Sequence, residues 1–228
     1  MKEEREMETE QLMDQEHNAS RKNEEKKTPR EKPFKLISDF DKDFDFAEVF
    51  QRNRAWAETK RSIDPDFFAK LAKGQKPSIL WIGCSDARVP ANLLIGADSG
   101  AVFVHRNIAN QVLAIDVNAQ SVLQYAIEFL HVPHIVVCGH YDCGGVRAAL
   151  RNLNHGSPLE NWLRNIRDVW RLHYDDVEKY PEGEPRARRL IELNVIEQCL
   201  NVYKTASGKP VLAPLYRFCV DVACIEWM

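Results

Sequence analysis

The sequence predicts an α/β fold with a mainly parallel central sheet flanked by helices, preceded by an N-terminal helical arm. Three observations carry this. Two short apolar runs, ILWI at 79–82 and HIVVCG at 134–139, have strand length and end at glycine, Gly83 and Gly139. A third run, AVFVHR at 101–106, has the same character. Before the 134–139 run, Asp116 or Asn118 caps a segment reaching Leu130, in which Val117, Val122, Leu123, Ala126, Ile127 and Leu130 follow helical spacing. Strand, helix and strand in that order indicate a right-handed parallel crossover.

Taken in order, residues 1–33 contain no aromatic residue and no Val or Ile, and charges of both signs dominate. Such a segment cannot bury enough apolar surface to offset its ordering entropy, so it reads as a disordered charged tail. From Phe34 the texture changes. Phe44, Phe46, Val49, Phe50 and Trp56 stand in a charged background, which suits amphipathic helices covering a surface, either their own sheet or a neighbour. Asp64-Pro65 gives a cap followed by proline at the first helical position, and Gly74 ends that helix. Later helices are expected over 146–152, 160–174 and 185–206, with an exposed loop around 181–185. There is no internal repeat.

The chemistry gathers at strand ends. The run at 79–82 delivers Cys84, Asp86 and Arg88 to the turn that follows it, and the carboxyl ends of strands are where open α/β sheets bind ligands. At alternate positions these three point the same way if the chain stays extended, placing a thiol, a proton acceptor and a cation that keeps the acceptor ionised in one turn. The 134–139 run is followed by His140 and Cys143, close enough to share one ion. With Cys84 they form a Cys2His set, which leaves one of the four tetrahedral positions of zinc open, as catalytic sites do.

Four blocks now stand in order: CSDAR at 84–88, FVHRNIAN at 103–110, SVLQYAI at 121–127 and CGHYDCGGV at 138–146. Together they resemble the β-class carbonic anhydrases, over roughly residues 44–205. The resemblance implies a zinc enzyme (one Zn2+ per chain, held by Cys84, His140 and Cys143) that carries out the reversible hydration of carbon dioxide to bicarbonate by a zinc-bound hydroxide. It gives Asp86 the role of accepting a hydrogen bond from the reacting oxygen, and Arg88 that of fixing Asp86, either open or swung onto the metal. Phe103, Ile108 and Tyr125 match a substrate-pocket wall, Gln75 matches an amide donor to substrate, and the Gly144 amide is a second donor to a developing oxyanion. His105 and Tyr141 are candidates for relaying the released proton. Trp81 and Arg106 match two members of a bicarbonate regulatory pocket. The leading helices imply a homodimer or a higher even oligomer.

The resemblance fails after the NVIEQ segment at 194–198, where SGKPVLAPLYRFCVDVACIEWM stands in place of the family's terminal strand. The expectation is three regions: a charged tail at 1–33, a catalytic domain with its helical arm at 34–206, and a divergent tail at 207–228 whose edge strand is altered or missing. An altered edge leaves open a zinc-binding but inactive partner subunit, and the resemblance also leaves open a carbon disulfide or carbonyl sulfide hydrolase, which keeps the same site on the same fold and changes the substrate.

Composition excludes several classes. Net charge is −3 from 31 basic and 34 acidic residues, so no single-sign field suggests nucleic acid. No apolar run reaches membrane-spanning length. Six cysteines without a signal peptide point to a reducing compartment, and the acidic N-terminus is unlike an organellar presequence, so the expectation is cytoplasmic. Cys138 and Cys199 read as core thiols, and Cys219 and Cys224 are not expected to form a second metal site.

Overall fold

A computed structural model describes residues 46–151, 153–206 and 224–225. The expected tail at 1–33 and most of the divergent tail lie outside these. The chain divides into two units, one ending at Phe67 and the other beginning at Phe68.

In the first unit, α1 (Phe46–Ile63) buries none of its residues. Phe46 and Phe50 are 71% and 60% exposed. Trp56 meets Phe67 edge to face at 6.3 Å. The Asp64 carboxylate accepts from the Asp66 amide at 3.1 Å, as a capping residue does, and α2 (Phe67–Leu71) follows. Gly74 then takes a left-handed φ of 134°.

The second unit holds a four-stranded sheet of order β2-β1-β3-β4, parallel throughout. Its strands are β1 (Ile79–Cys84), β2 (Val102–Asn107), β3 (His134–His140) and β4 (Cys224–Ile225). Each predicted strand extends beyond its expected end, and two of those extensions supply Cys84 and His140. The terminal edge strand is altered rather than missing: Cys224 pairs with Gly139 and Ile225 with His140. From β1 the chain passes to β2 on one side and then to β3 on the other, so the order reverses at the carboxyl ends of β1 and β3. That is where a crevice opens in such sheets.

Alternation along β1 places Leu80 and Ile82 on one face, packed with Ile135, Val137, Leu123, Ala126 and Val195, and Trp81 on the other with Ala91 and Cys138. Each fully buried Leu or Ile contributes about 1.5–3 kcal/mol. After α3 (Ala91–Leu94), the helix expected to reach Leu130 is divided. Asp116 caps α4 (Val117–Gln124), accepting from the amides of Asn118 at 3.0 Å and Ala119 at 3.3 Å, and residues Tyr125–Phe129 widen into a π-helical turn. Val117, expected in the apolar stripe, is 77% exposed, and Ala119 and Leu123 form the buried face of α4 instead.

The remaining helices are α5 (Gly144–Leu150), α6 (Leu159–Leu172), α7 (Tyr174–Val177) and α8 (Glu184–Ala206). Together with Cys84, Val89 and Ala109 they enclose a third cluster around Leu163, Ile166, Leu190 and Ile191. Among the described residues no helix is long and apolar enough to cross a membrane.

Candidate metal centre

Cys84 ends β1, His140 ends β3, and Cys143 immediately precedes α5. One ligand atom from each lies within 4.8 Å of the others, and all three residues are buried. Neighbouring parallel strands thus deliver a thiol and an imidazole side by side, and the turn at Asp142, with a left-handed φ of 58°, returns the second thiol to them.

The donor set fits a tetrahedral ion. Zn–S bonds of about 2.3 Å hold two sulfurs about 3.8 Å apart; the Cys84 and Cys143 sulfurs are 3.9 Å apart. His140 Nδ1 lies 3.0 Å from the Tyr141 carbonyl, which fixes Nδ1 as the protonated nitrogen. Its Nε2 is buried with no hydrogen-bond partner. A buried, unpartnered ring nitrogen facing two thiols is the arrangement a metal completes.

Backbone amides prepare the sulfurs. Ala109 N–H points at Cys84 Sγ from 3.4 Å, the Asp86 amide joins it, and the Gly145 and Val146 amides reach Cys143. The pKa of the Cys84 thiol is lowered to about 4, chiefly by its bond from Cys143 and against its own burial; donating that same bond to Cys84 pushes Cys143 upward, and burial and the negative charge on Cys84 add to it. Two buried thiols 3.9 Å apart do not both ionise without a cation between them.

Beside the cluster, Asp86 Oδ2 lies 3.8 Å from His140 Nε2. Arg88 grips Asp86 with both forks, Nε to Oδ1 at 2.9 Å and Nη2 to Oδ2 at 2.7 Å, while its own amide donates to Oδ1 at 3.0 Å. That bidentate contact holds the Asp86 carboxyl at about 2. The expected alignment of Cys84, Asp86 and Arg88 by strand alternation does not occur, because β1 ends at Cys84. The turn is shaped instead by Arg106, which donates to the carbonyls of Cys84 (2.7 Å) and Asp86.

The other candidates are placed less centrally. Ile108 is 41% exposed beside Ala109, and its carbonyl accepts from Trp162 Nε1 at 2.8 Å. Gly144 opens α5 next to Cys143. Phe103 meets Tyr125 at a tilt of 30° with ring centres 5.8 Å apart, and Tyr125 stacks on Phe129 at 5.4 Å. Gln75 is exposed in the loop before β1. His105 is buried, with its Nε2 3.2 Å from the Asn107 amide nitrogen, and burial lowers its pKa. Tyr141 donates to Glu192 at 3.2 Å under the Arg188 guanidinium. Trp81 lies over Gly83, where a Cβ would meet its Nε1 at 2.4 Å.

Sequence reasoning missed two groups. Asp142 ties Arg88 from the far side, accepting Nη1 at 3.2 Å. Asn194 donates to the Ala109 carbonyl at 3.0 Å, and Gln198 donates to Asn194 and accepts the Val112 amide. The available signal lies in the NVIEQ segment, where the amides of Asn194 and Gln198 stand four residues apart.

Comparison with known proteins agrees with this geometry. Residues 79–212 match the family model described as carbonic anhydrase. The carbonic anhydrase of Emericella nidulans is 57% identical over 159 residues, 70% of this chain and 69% of that protein. The chain spans about half the length of the Candida albicans and Saccharomyces cerevisiae carbonic anhydrases it matches. Among solved structures, a tetrameric β-carbonic anhydrase of Sordaria macrospora superposes with a TM-score of 0.65 at 38% identity, covering 73% of this chain and 87% of that one. The β-carbonic anhydrase CafA of Aspergillus fumigatus gives 0.66 at 35%, covering 73% and 82%.

Proposed function

The chain belongs to the carbonic anhydrase family, in its β class, and on that premise we propose that it catalyses the reversible hydration of carbon dioxide to bicarbonate with one zinc ion held by Cys84, His140 and Cys143. The observation that carries this is the meeting of two sulfurs and an unpartnered imidazole nitrogen within 4.8 Å, beside an ionised Asp86. Zinc bound there supplies a Lewis acid that makes hydroxide available near neutral pH.

The chain's own residues do the rest. Asp86, acceptor-only while ionised, takes a hydrogen bond from the attacking water and so orients its lone pair. Arg88 keeps that carboxylate charged and engages both of its oxygens, which supports the open form of the site. The Gly144 amide is the donor we assign to the substrate oxygen as charge develops. Ile108, next to Ala109, provides apolar wall for an apolar substrate.

Gln75, Phe103 and Tyr125 have no hydrogen bond or ring contact with the metal ligands among the described residues, so we assign them to a pocket that a second copy of the chain completes. The exposed Ile115, Val117, Tyr125 and Phe129 support assembly as a dimer or higher even oligomer. The recruitment of Cys84 and Cys143 to a metal-binding cluster supports a cytoplasmic setting, where thiols stay reduced.

The test is zinc analysis beside stopped-flow hydration of carbon dioxide, for the full chain and a Cys84→Ser variant. Stoichiometric zinc with turnover that the variant loses supports the reading. Zinc without turnover makes the chain an inactive partner, and sulfide release from carbon disulfide in place of hydration moves it to the other chemistry.

A further inference from the structure

Away from the metal ligands, a cleft of about 320 Å³ lies between α5, α6 and the start of α8. Arg147, Arg151 and Arg186 line it, with Trp170, Leu150 and Ala187 as its apolar walls. Glu182 also borders it, but its side chain is 90% exposed and leans out to Arg186 at 3.8 Å. The three cations are not equally committed. Arg186 is held by Glu178 at 3.1 Å, and Arg147 by Asp142 at 2.7 Å. The Arg151 guanidinium has no hydrogen-bond or ion-pair partner among the described residues. The lining therefore offers three guanidinium groups against one carboxylate, one uncommitted planar donor fork and an indole wall.

Such a lining suits one ligand chemistry. A guanidinium recognises a carboxylate through two parallel hydrogen bonds, and the indole with Leu150 and Ala187 offers burial to an apolar body. The volume is that of a small-molecule site.

The cleft is also wired to Asp86. Arg147 shares Asp142 with Arg88: Arg147 Nε lies 2.7 Å from Asp142 Oδ1, and Arg88 Nη1 lies 3.2 Å from Oδ2. Arg88 in turn holds both oxygens of Asp86. An anion that draws Arg147 into the cleft leaves Asp142 wholly to Arg88, in competition with Asp86.

We propose that this cleft binds a small organic carboxylate with an apolar body, and that its occupancy is transmitted to Asp86 through Arg147, Asp142 and Arg88. The second part rests on the hydration reading above.

The test uses benzoate as probe on the zinc-loaded full chain, by calorimetry and by stopped-flow hydration at constant ionic strength. Arg151→Glu is the discriminating variant; its side chain is exposed and outside the site chemistry, so folding and basal turnover are retained. The expected result is saturable binding that weakens roughly tenfold or more in Arg151→Glu, with a benzoate-dependent change in rate that disappears in the same variant. Equal binding by both proteins places benzoate elsewhere and overturns the proposal. No binding, or binding without any change in rate, overturns it as well. If the wild type hydrates no carbon dioxide at all, the functional reading fails, while calorimetry still decides the site.

Discussion

The N–H of Ala109 points at the sulfur of Cys84 from 3.4 Å, and Ala109 itself holds a left-handed φ of 61°. Asn110 follows at 47°, so two successive non-glycine residues occupy a region that disfavours side chains. Something must hold them there. Asn194 does so from α8, bonding the Ala109 carbonyl at 3.0 Å, and Gln198 and Asn201 continue the amide ladder to Val112.

Replacing Asn194 with Ala should therefore loosen a metal ligand it never touches. Outer-shell partners of this kind are worth roughly 10–100-fold in metal affinity. Zinc competition against a chromophoric chelator reads this directly. An affinity equal to wild type would mean that the turn holds its shape unaided.

Asp86→Asn keeps the size of the side chain but offers an amide where an acceptor-only carboxylate stood. The variant should retain stoichiometric zinc, since Asp86 is not among the three ligands. Hydration should slow by roughly a hundredfold or more, the scale of a lost proton acceptor. Stopped-flow rates beside metal analysis separate the two effects.

Gly139 sits where β3 passes under α8, and a Cβ there would lie 2.5 Å from Val195 Cγ2. Val195 is fully buried and β-branched, so it has little room to turn. Gly139→Ala should cost about 1–3 kcal/mol of stability. The double variant with Val195→Ala should recover part of that loss in a urea unfolding comparison, which a purely conformational penalty at Gly139 would not allow.

Glu160 accepts from Arg167 and from the His155 amide, and the Arg167 guanidinium holds its carboxyl below the ordinary value. A lowered folded pKa adds stability above the ordinary glutamate value of 4.5 and loses it as pH falls through the folded value. Glu160→Gln should thus be less stable than wild type at neutral pH, and the gap should close in acid below that value. Denaturant midpoints measured across the acid range test the sign. A gap that stays constant with pH would assign the loss to packing.

How much of this was legible beforehand differs between elements. The strands at 79 and 134 and the Asp116 cap could be read because each depends on neighbours in sequence: apolar runs, a terminating glycine, a capping carboxylate. The break of the helix expected to reach Leu130 into α4 and a π-helical turn could not, because helical spacing is nearly the same for both. The alignment of Cys84, Asp86 and Arg88 by alternation was expected and did not occur, since β1 stops at Cys84 and Arg88 meets Asp86 by wrapping the turn.

By itself the sequence determined which atoms could hold the metal, because two thiols and an imidazole at strand ends are chemically committed wherever the chain carries them, and four ordered motifs fixed the family. Only the tertiary structure decided what surrounds them. Asn194 lies 85 residues from Ala109, and Asp142 lies 54 residues from Arg88. Contacts at that separation are set by which strand lies beside which and how α8 crosses the sheet, and local propensity carries no record of either.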